Sequence, residues 1–208
     1  MIKLPPSAKV NKFIAKTQFF NRLSLSSKIK QDFADKINRI TWLYKLSENT
    51  IGISKTEEIE EIQIFEIDLK DKTIPKDILK IVDRSIPYPI LYVLKFENQC
   101  MYAICSKIEN PDNYYFSKWG ERIDFDFAGI DMTRVYQKII KKFISTVDLE
   151  NHSFDAIIEK DEKIKMLQKD MTGLENKIRS EKQFNKKVNL NKIYLAKKEE
   201  LHNLIKKG

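Results

Sequence analysis

The sequence has little of three residue types on which most catalytic and cofactor-binding motifs depend. Its 208 residues include five glycines, two cysteines and two histidines. Neither a glycine-rich phosphate loop ending in Lys-Ser/Thr nor a dinucleotide-binding glycine fingerprint occurs. The histidines, His152 and His202, both belong to the last 57 residues or so, which leaves almost no material for a histidine-based triad or a zinc site. The composition therefore favours neither an ATPase nor a histidine-dependent enzyme.

Long apolar runs and paired cysteines are also missing. The longest apolar run, residues 90–94, is too short to cross a bilayer, and Pro5 and Pro6 stand where a signal peptide has its apolar core. Cys100 and Cys105 are five residues apart in one expected strand, which puts them on opposite faces and argues against a disulfide or a shared metal. We expect a cytoplasmic protein with reduced thiols, no membrane association and no cofactor.

Charge is plentiful and unevenly distributed. The formal net charge is +8 at pH 7. Residues 1–56 hold 11 basic and 3 acidic groups, residues 57–150 hold 13 and 18, and residues 151–208 hold 14 and 9. Two basic ends suit contact with nucleic acid, because neutralising phosphates releases counterions and gives sequence-independent affinity. The alternative is that the lysines only keep surface helices solvated.

Hydrophobic spacing predicts an α/β fold for residues 1–150, with α+β as the alternative. The expected strands are residues 51–53, 62–69, 90–96, 100–107 and 114–119. The expected helices are residues 26–46, capped by Ser26 or Ser27, residues 75–84, and residues 131–147, capped by Asp131. Strand, helix and strand across residues 62–96 indicate a parallel crossover, and the hairpin that follows adds antiparallel neighbours. The result is a mixed β-sheet flanked by helices, with a domain boundary at residues 148–153.

Residues 151–208 predict a long Lys-rich helical arm. An apolar seam with spacings of three and four marks a helix that seeks a partner surface, and we expect it to bind a partner through Ile157, Ile164, Leu167, Met171, Leu174 and Ile178. The phase changes after Ile178, which predicts a hinge between residues 180 and 191. The arm is expected either to fold back as a helical hairpin or to form a coiled coil with a second copy. Its candidate nucleic-acid contacts are Lys163, Lys165, Lys169, Lys177, Arg179, Lys182, Lys186 and Lys187.

The strongest enzymatic candidate is Glu66-x-Asp68-x-Lys70 at the end of an expected strand. Two carboxylates on one strand face suit Mg²⁺, and the lysine suits a developing phosphorane charge, as in restriction-like nucleases. A complete site needs a third acid on a neighbouring strand, for which Glu48 and residues 57–61 are the candidates. The competing explanation is a solvent-facing strand with ordinary surface charges.

Aromatic residues offer a second type of site. One role for these residues is stacking on unpaired bases beside Lys45, Lys107 and Lys118, and core packing is the simpler explanation for most of them. The residues are Trp42, Tyr44, Tyr88, Tyr92, Tyr102, Tyr114, Tyr115 and Trp119.

Several short segments together resemble one family. They are Leu4-Pro5, Asn11-Lys12, Trp42 with Lys45-Leu46, the run EIQIFEI from Glu61, Ile86-Pro87-Tyr88 and the run QFNKKVNLN from Gln183. In these segments the chain resembles the domain of unknown function 4391 family along nearly its whole length. Pro89 stands where the family pattern tends to have His, so any role of that His would be absent.

The resemblance implies an accessory role beside enzymes that act on DNA, because members of the family are neighbours of helicases and DNA methyltransferases in restriction-modification or phage-defence gene clusters. It implies no catalytic residue. We therefore expect a non-catalytic subunit that docks on a helicase or methyltransferase through the arm's seam and assists DNA contact. The alternatives are a Mg²⁺-dependent nuclease and a homodimer joined through the arm.

Overall fold

The computed structural model describes residues 2–145 and 152–206, and the chain divides into two compact units, Met1–Phe143 and Ile144–Gly208. Most of the boundary expected at residues 148–153 lies outside the described residues. The strands of the first unit are β1 (Lys9–Phe13), β2 (Ile37–Ser47), β3 (Glu61–Leu69), β4 (Ile90–Phe96), β5 (Gln99–Cys105) and β6 (Tyr114–Phe116). Its helices are α1 (Thr17–Arg22), α2 (Ser27–Lys36), α3 (Glu48–Ile51), α4 (Lys76–Ser85) and α5 (Met132–Lys141).

The six strands form one mixed sheet in the order β1-β2-β3-β4-β5-β6. Neighbouring strands are antiparallel except β3 and β4, which run parallel and are joined by α4. A parallel pair needs a crossover of this kind, whereas antiparallel neighbours connect through short turns. The predicted α/β class, the crossover and the hairpin of β4 and β5 are confirmed.

Both faces of β3 are covered by other parts of the first unit, and its sequence is accordingly a nearly continuous apolar run. Phe65 and Ile67 on one face join the core cluster that includes residues of α2 and α4, such as Phe33 and Leu79. Ile62 and Ile64 on the other face are fully buried as well, and α5 contacts β3. Helix α5 contributes a buried apolar side, and Asp131 caps its N-terminus as predicted by accepting from the Arg134 amide. Its end is earlier than expected, at Lys141, and residues 146–147 of the prediction lie outside the described residues.

The helix predicted over residues 26–46 is wrong in its second half. Ser26 caps α2 as expected, but α2 ends at Lys36 and the chain continues as the long strand β2. Ile37 lies opposite Leu69 and Ile40 opposite Ile67, with a bulge between them. Because a bulge inserts one extra residue, two side chains three positions apart reach the same face of the sheet, and the sequence spacing imitates a helix.

The short strand expected at residues 51–53 is also wrong. Ser47 begins a one-turn helix, α3, by accepting from the amide at N3 while the Thr50 hydroxyl accepts from the Ser47 amide. Gly52 then ends that helix with φ of 70°, a left-handed conformation that glycine adopts without strain. Glycine here ends a helix, whereas the sequence interpretation had placed it inside a strand.

The second unit contains α6 (Phe154–Ser180) and α7 (Phe184–Lys206). The expected hinge after residue 180 is confirmed, since residues 181–183 separate the two helices. Across the described part of the chain, no helix combines the length and the hydrophobicity that a membrane span requires.

Candidate functional site

The arm is a helical hairpin whose two helices run antiparallel. Three polar contacts cross it at successive levels: Tyr194 Oη donates to Glu175 Oε1 at 2.7 Å, Lys197 Nζ meets Asp170 Oδ2 at 2.7 Å, and Lys163 Nζ meets Glu200 Oε1 at 3.1 Å. From one contact to the next, the residue number rises by three on α7 and falls on α6, as antiparallel helices require. Of the two forms expected for the arm, the single chain adopts the hairpin.

The predicted seam lies on the side of α6 that carries these contacts. Ile157, Ile164 and Leu167 are buried, and Met171, Leu174 and Ile178 are half-buried. Helix α7 has half-buried residues whose spacing also alternates between four and three, namely Leu190, Tyr194, Lys197, Leu201 and Leu204. Matching heptad stripes are typical of coiled-coil packing. Within one chain, the surface that packs against the seam is that of α7.

The hairpin separates the predicted basic residues into two groups. Lys163 and Lys165 are neutralised by ion pairs with Glu200 and Asp161, the second at 2.9 Å, and Lys169 is exposed between them and the turn. The remaining five are exposed around the turn between the helices, and we call them the basic tip: Lys177, Arg179, Lys182, Lys186 and Lys187. Among the residues that the structure describes, no ion pair engages the basic tip.

Charge and an exposed ring concentrate at this turn. Residues 177–192 hold six basic groups and one acidic group. The Phe184 side chain, at the start of α7, is 78% exposed. Lysine and arginine side chains projecting from one turn present a compact positive surface, and an exposed ring beside them offers a face on which a base can stack. The arrangement suits contact with a phosphate backbone.

The residues of the nuclease candidate lie at the carboxyl end of β3. Glu66 pairs with Lys95 of the neighbouring strand at 3.5 Å, and Asp68 lies opposite Arg39 and Lys95 in the strand register. Glu48 and Glu61 lie at the opposite end of β3, because Ser47 pairs with Glu61 while Ile37 pairs with Leu69. Asp68 and Glu61 are seven residues apart on β3, which amounts to about 23 Å along the strand.

The acids proposed as a third ligand therefore do not converge on Glu66 and Asp68. Throughout residues 2–145 and 152–206, no group of three or more His, Cys, Asp or Glu side chains is arranged to hold a metal ion. Both histidines are exposed. The geometry gives Glu66 and Asp68 basic partners on adjacent strands, which is the arrangement of surface charges on a sheet.

A buried polar cluster beside the end of α4 had no signal in the sequence analysis. Asp83 is 5% exposed and accepts a hydrogen bond from the Tyr114 hydroxyl. Lys107 Nζ donates to the carbonyl oxygens of Asp83, Ile86 and Tyr88, which it ties together where α4 ends. Only the packing of β5 and its following turn against α4 brings residues about 25 positions apart into this cluster.

Burial controls the ionisation of these groups. It raises the pKa of the Asp83 carboxyl to about 6, opposed by the Tyr114 hydrogen bond and the charge of Lys107. It lowers the pKa of Lys107, and it raises the pKa of the neighbouring Cys105 thiol to about 12. A thiol with so high a pKa is a poor nucleophile, since the thiolate is the reactive form. The cluster secures the end of α4 and is not arranged for covalent catalysis.

The eight aromatic candidates also fall into distinct groups. Tyr92, Tyr102 and Tyr115 are core residues, as core packing predicts. Trp42 and Tyr88 come together with Phe65 around a surface pocket of about 410 Å³ in the first unit. Lys45, one of the lysines expected beside a stacking face, forms an ion pair with Glu61 on the same side of the sheet.

Comparison with known proteins agrees with the resemblance seen in the sequence. A family model described as "Domain of unknown function (DUF4391)" matches residues 2–201, nearly the whole chain. No curated protein and no solved structure matches the chain.

Proposed function

The chain belongs to the DUF4391 family, and from that premise we propose that it is a non-catalytic accessory subunit of a DNA-processing system of the restriction-modification or phage-defence type. In this proposal the subunit docks on a helicase or a DNA methyltransferase and contributes nucleic-acid contact. The observation that carries the proposal is the basic tip, a charged turn held at the end of a two-helix hairpin.

The hairpin suits this role because its apolar and charged surfaces are separated. The seam between α6 and α7 keeps the turn rigid, so the five side chains of the basic tip reach phosphates with little loss of backbone entropy. Ion pairs such as Lys163 with Glu200 neutralise charge further from the turn. Positive potential is thereby concentrated where a nucleic acid has free access.

Docking on the partner enzyme uses a different surface in this proposal, because the seam already faces α7. Phe184, Val188 and Leu195 recur at spacings of four and seven, which puts them on one side of α7, and they are 78%, 37% and 54% exposed. An apolar stripe on a helix side that is not part of the seam is the type of surface that a partner protein covers.

Nucleic-acid contact is tested by measuring the salt dependence of binding. Fluorescence anisotropy of the full chain with a labelled duplex should give log K falling with log salt at about −0.9 per neutralised phosphate. Replacing three tip lysines by glutamine (Lys182, Lys186 and Lys187) should reduce the magnitude of that slope by about 2.7. The matched control changes Lys28, Lys30 and Lys55, exposed lysines of the first unit, in the same way. Equal slopes for both triple variants would refute a role for the basic tip.

Docking is tested by co-purification of the full chain with a candidate helicase or DNA methyltransferase. Phe184→Ser with Leu195→Ser should abolish co-purification and leave the hairpin folded, because both side chains lie outside the seam. The mass of the isolated chain in solution distinguishes the homodimer alternative. A stable dimer that the same double substitution converts to monomer would assign the stripe to a second copy.

A further inference from the structure

The first unit carries a pocket that the proposed function does not use. Its volume is about 410 Å³, within the roughly 300–1,000 Å³ that small-molecule sites occupy. It lies on the α4 side of the sheet, near the start of β3, where Pro87 and Tyr88 lead into β4. Four aromatic side chains line it, those of buried Phe19 and of Trp42, Phe65 and Tyr88, so the pocket favours a flat apolar ring.

The sheet holds the ring-binding groups in a row. Lys12 of β1 pairs with Trp42 of β2, and Trp42 pairs with Phe65 of β3. The Trp42 and Phe65 ring centroids are 6.4 Å apart, and the Trp42 indole N–H donates to the Tyr44 carbonyl oxygen at 2.9 Å. With its only polar group engaged, the indole is fixed in orientation and offers its face. Phe65 itself is buried, so the faces available to a ligand are those of half-buried Trp42 and Tyr88.

A buried amide adds a polar group to this apolar pocket. Gln63 lines it, is 7% exposed, and donates from Nε2 to Glu61 Oε1 at 2.7 Å. Glu61 is held in turn by Lys45, whose pKa it raises through their hydrogen bond. Because a carboxylate only accepts hydrogen bonds, Glu61 selects the amino end of the Gln63 amide and leaves the carbonyl oxygen and one N–H for a ligand. Such an oxygen accepts from an exocyclic amine or a ring N–H.

Charge at the rim gives the pocket a direction. Glu60 lies on the Tyr88 side, where it raises the pKa of the Tyr88 hydroxyl, while Lys12 lies on the β1 side. Lys12 is exposed and belongs to β1, an edge strand of the sheet. A phosphate is repelled on the first side and attracted on the second, so a phosphate-bearing ligand has to leave the pocket over β1.

We propose that this pocket takes up one unpaired nucleobase, which stacks on Trp42 and Tyr88, turns its hydrogen-bonding edge to Gln63, and directs its sugar and phosphate over Lys12. The base comes either from a free nucleotide or from single-stranded nucleic acid. This site is separate from the basic tip, so neither one depends on the other.

The test uses Trp42 as its own reporter. The chain has two tryptophans, and Trp119→Phe leaves Trp42 as the single tryptophan. The probes are AMP, CMP, GMP and UMP, an eight-residue mixed-sequence single strand, and a strand of equal length made of abasic residues. Quenching by a mononucleotide assigns a free nucleotide as ligand. Quenching by the base-bearing strand alone assigns a nucleic-acid strand. No quenching by any base-bearing probe, or equal quenching by the abasic strand, overturns the proposal.

A pair of tyrosine variants shows whether the pocket is responsible. Tyr88→Ala removes one stacking face and should weaken binding about five- to a hundredfold, whereas Tyr194→Ala, on α7 and not among the residues that line the pocket, should leave it unchanged. Equal effects of the two substitutions contradict the assignment. If Trp119→Phe does not fold, ultraviolet crosslinking of a 5-bromodeoxyuridine strand to the unmodified chain replaces it. Crosslinks at the peptides of Trp42 and Tyr88 support the proposal whether or not the basic tip is also crosslinked, and their absence from both peptides refutes it.

Discussion

Replacing Asp83 by asparagine should change how the stability of the first unit depends on pH. Burial raises the pKa of this carboxyl from its usual 3.8 to about 6. The native state therefore holds the proton more tightly than the unfolded state, and ionisation of Asp83 favours unfolding as the pH rises. The destabilisation is absent below pH 3.8, grows between pH 4 and 6, and is complete above that range. Asparagine keeps an oxygen for the Tyr114 hydroxyl and cannot ionise.

The expected magnitude follows from the size of the pKa change. A difference of about two units corresponds to roughly 3 kcal/mol, since each unit is worth about 1.4 kcal/mol. The difference in unfolding free energy between Asp83→Asn and the unmodified chain should therefore shift in favour of the variant by roughly 2 kcal/mol from pH 4 to pH 7. Lys107 attracts Asp83 only when the carboxyl is ionised, and this attraction is already contained in the pKa of about 6.

Urea unfolding monitored by tryptophan fluorescence measures this difference, because Trp42 and Trp119 both belong to the first unit. Measurements at pH 4, 5, 6 and 7 are compared for the unmodified chain, Asp83→Asn, and Asp77→Asn as an exposed control on the same helix. The control should follow the unmodified chain at every pH. A difference between Asp83→Asn and the unmodified chain that stays constant from pH 4 to 7 would refute the assignment of a raised pKa to Asp83.

Three further predictions concern other parts of the chain. Iodoacetamide at pH 8 should modify half-buried Cys100 well before Cys105, which is buried and has its pKa raised to about 12; peptide mass spectrometry after a time course measures the two rates. Leu167→Ala should destabilise the hairpin by about 2–4 kcal/mol through a cavity in the seam, and circular dichroism at 222 nm during thermal unfolding detects the loss. Gly52→Ala should cost about 1 kcal/mol in urea unfolding because its φ is 70°, although no atom lies within 4 Å of the added methyl group.

Residue spacing predicts the arm more completely than any other part of the chain. Its two helices, the break after residue 180 and the apolar seam could all be predicted, because a coiled coil is local in sequence and its period identifies it directly. A seam specifies that a partner surface exists without specifying which surface it is. Here α7 of the same chain provides that surface.

Residues 37–46 were assigned to the wrong element for an identifiable reason. Ile37 and Ile40 continue the spacing of Ile29 and Phe33, and nothing local distinguishes the bulged strand from another turn of helix. Strand β2 exists because it pairs with β3 on one side and β1 on the other, and those hydrogen bonds come from residues far away in sequence. Tertiary pairing overrode the helical pattern.

By itself the sequence determined the α/β class, the parallel crossover between β3 and β4, the caps of α2 and α5 and the helical arm, because each depends on residues that are close together in the chain. Only the tertiary structure decided which charges and rings meet. It separated Glu66 and Asp68 from the acids of residues 57–61, brought Asp83 to Lys107, and assembled a pocket from Lys12, Trp42, Gln63 and Tyr88. The physical reason is that a site is made where distant strands lie side by side, and strand order and register are properties of the whole sheet.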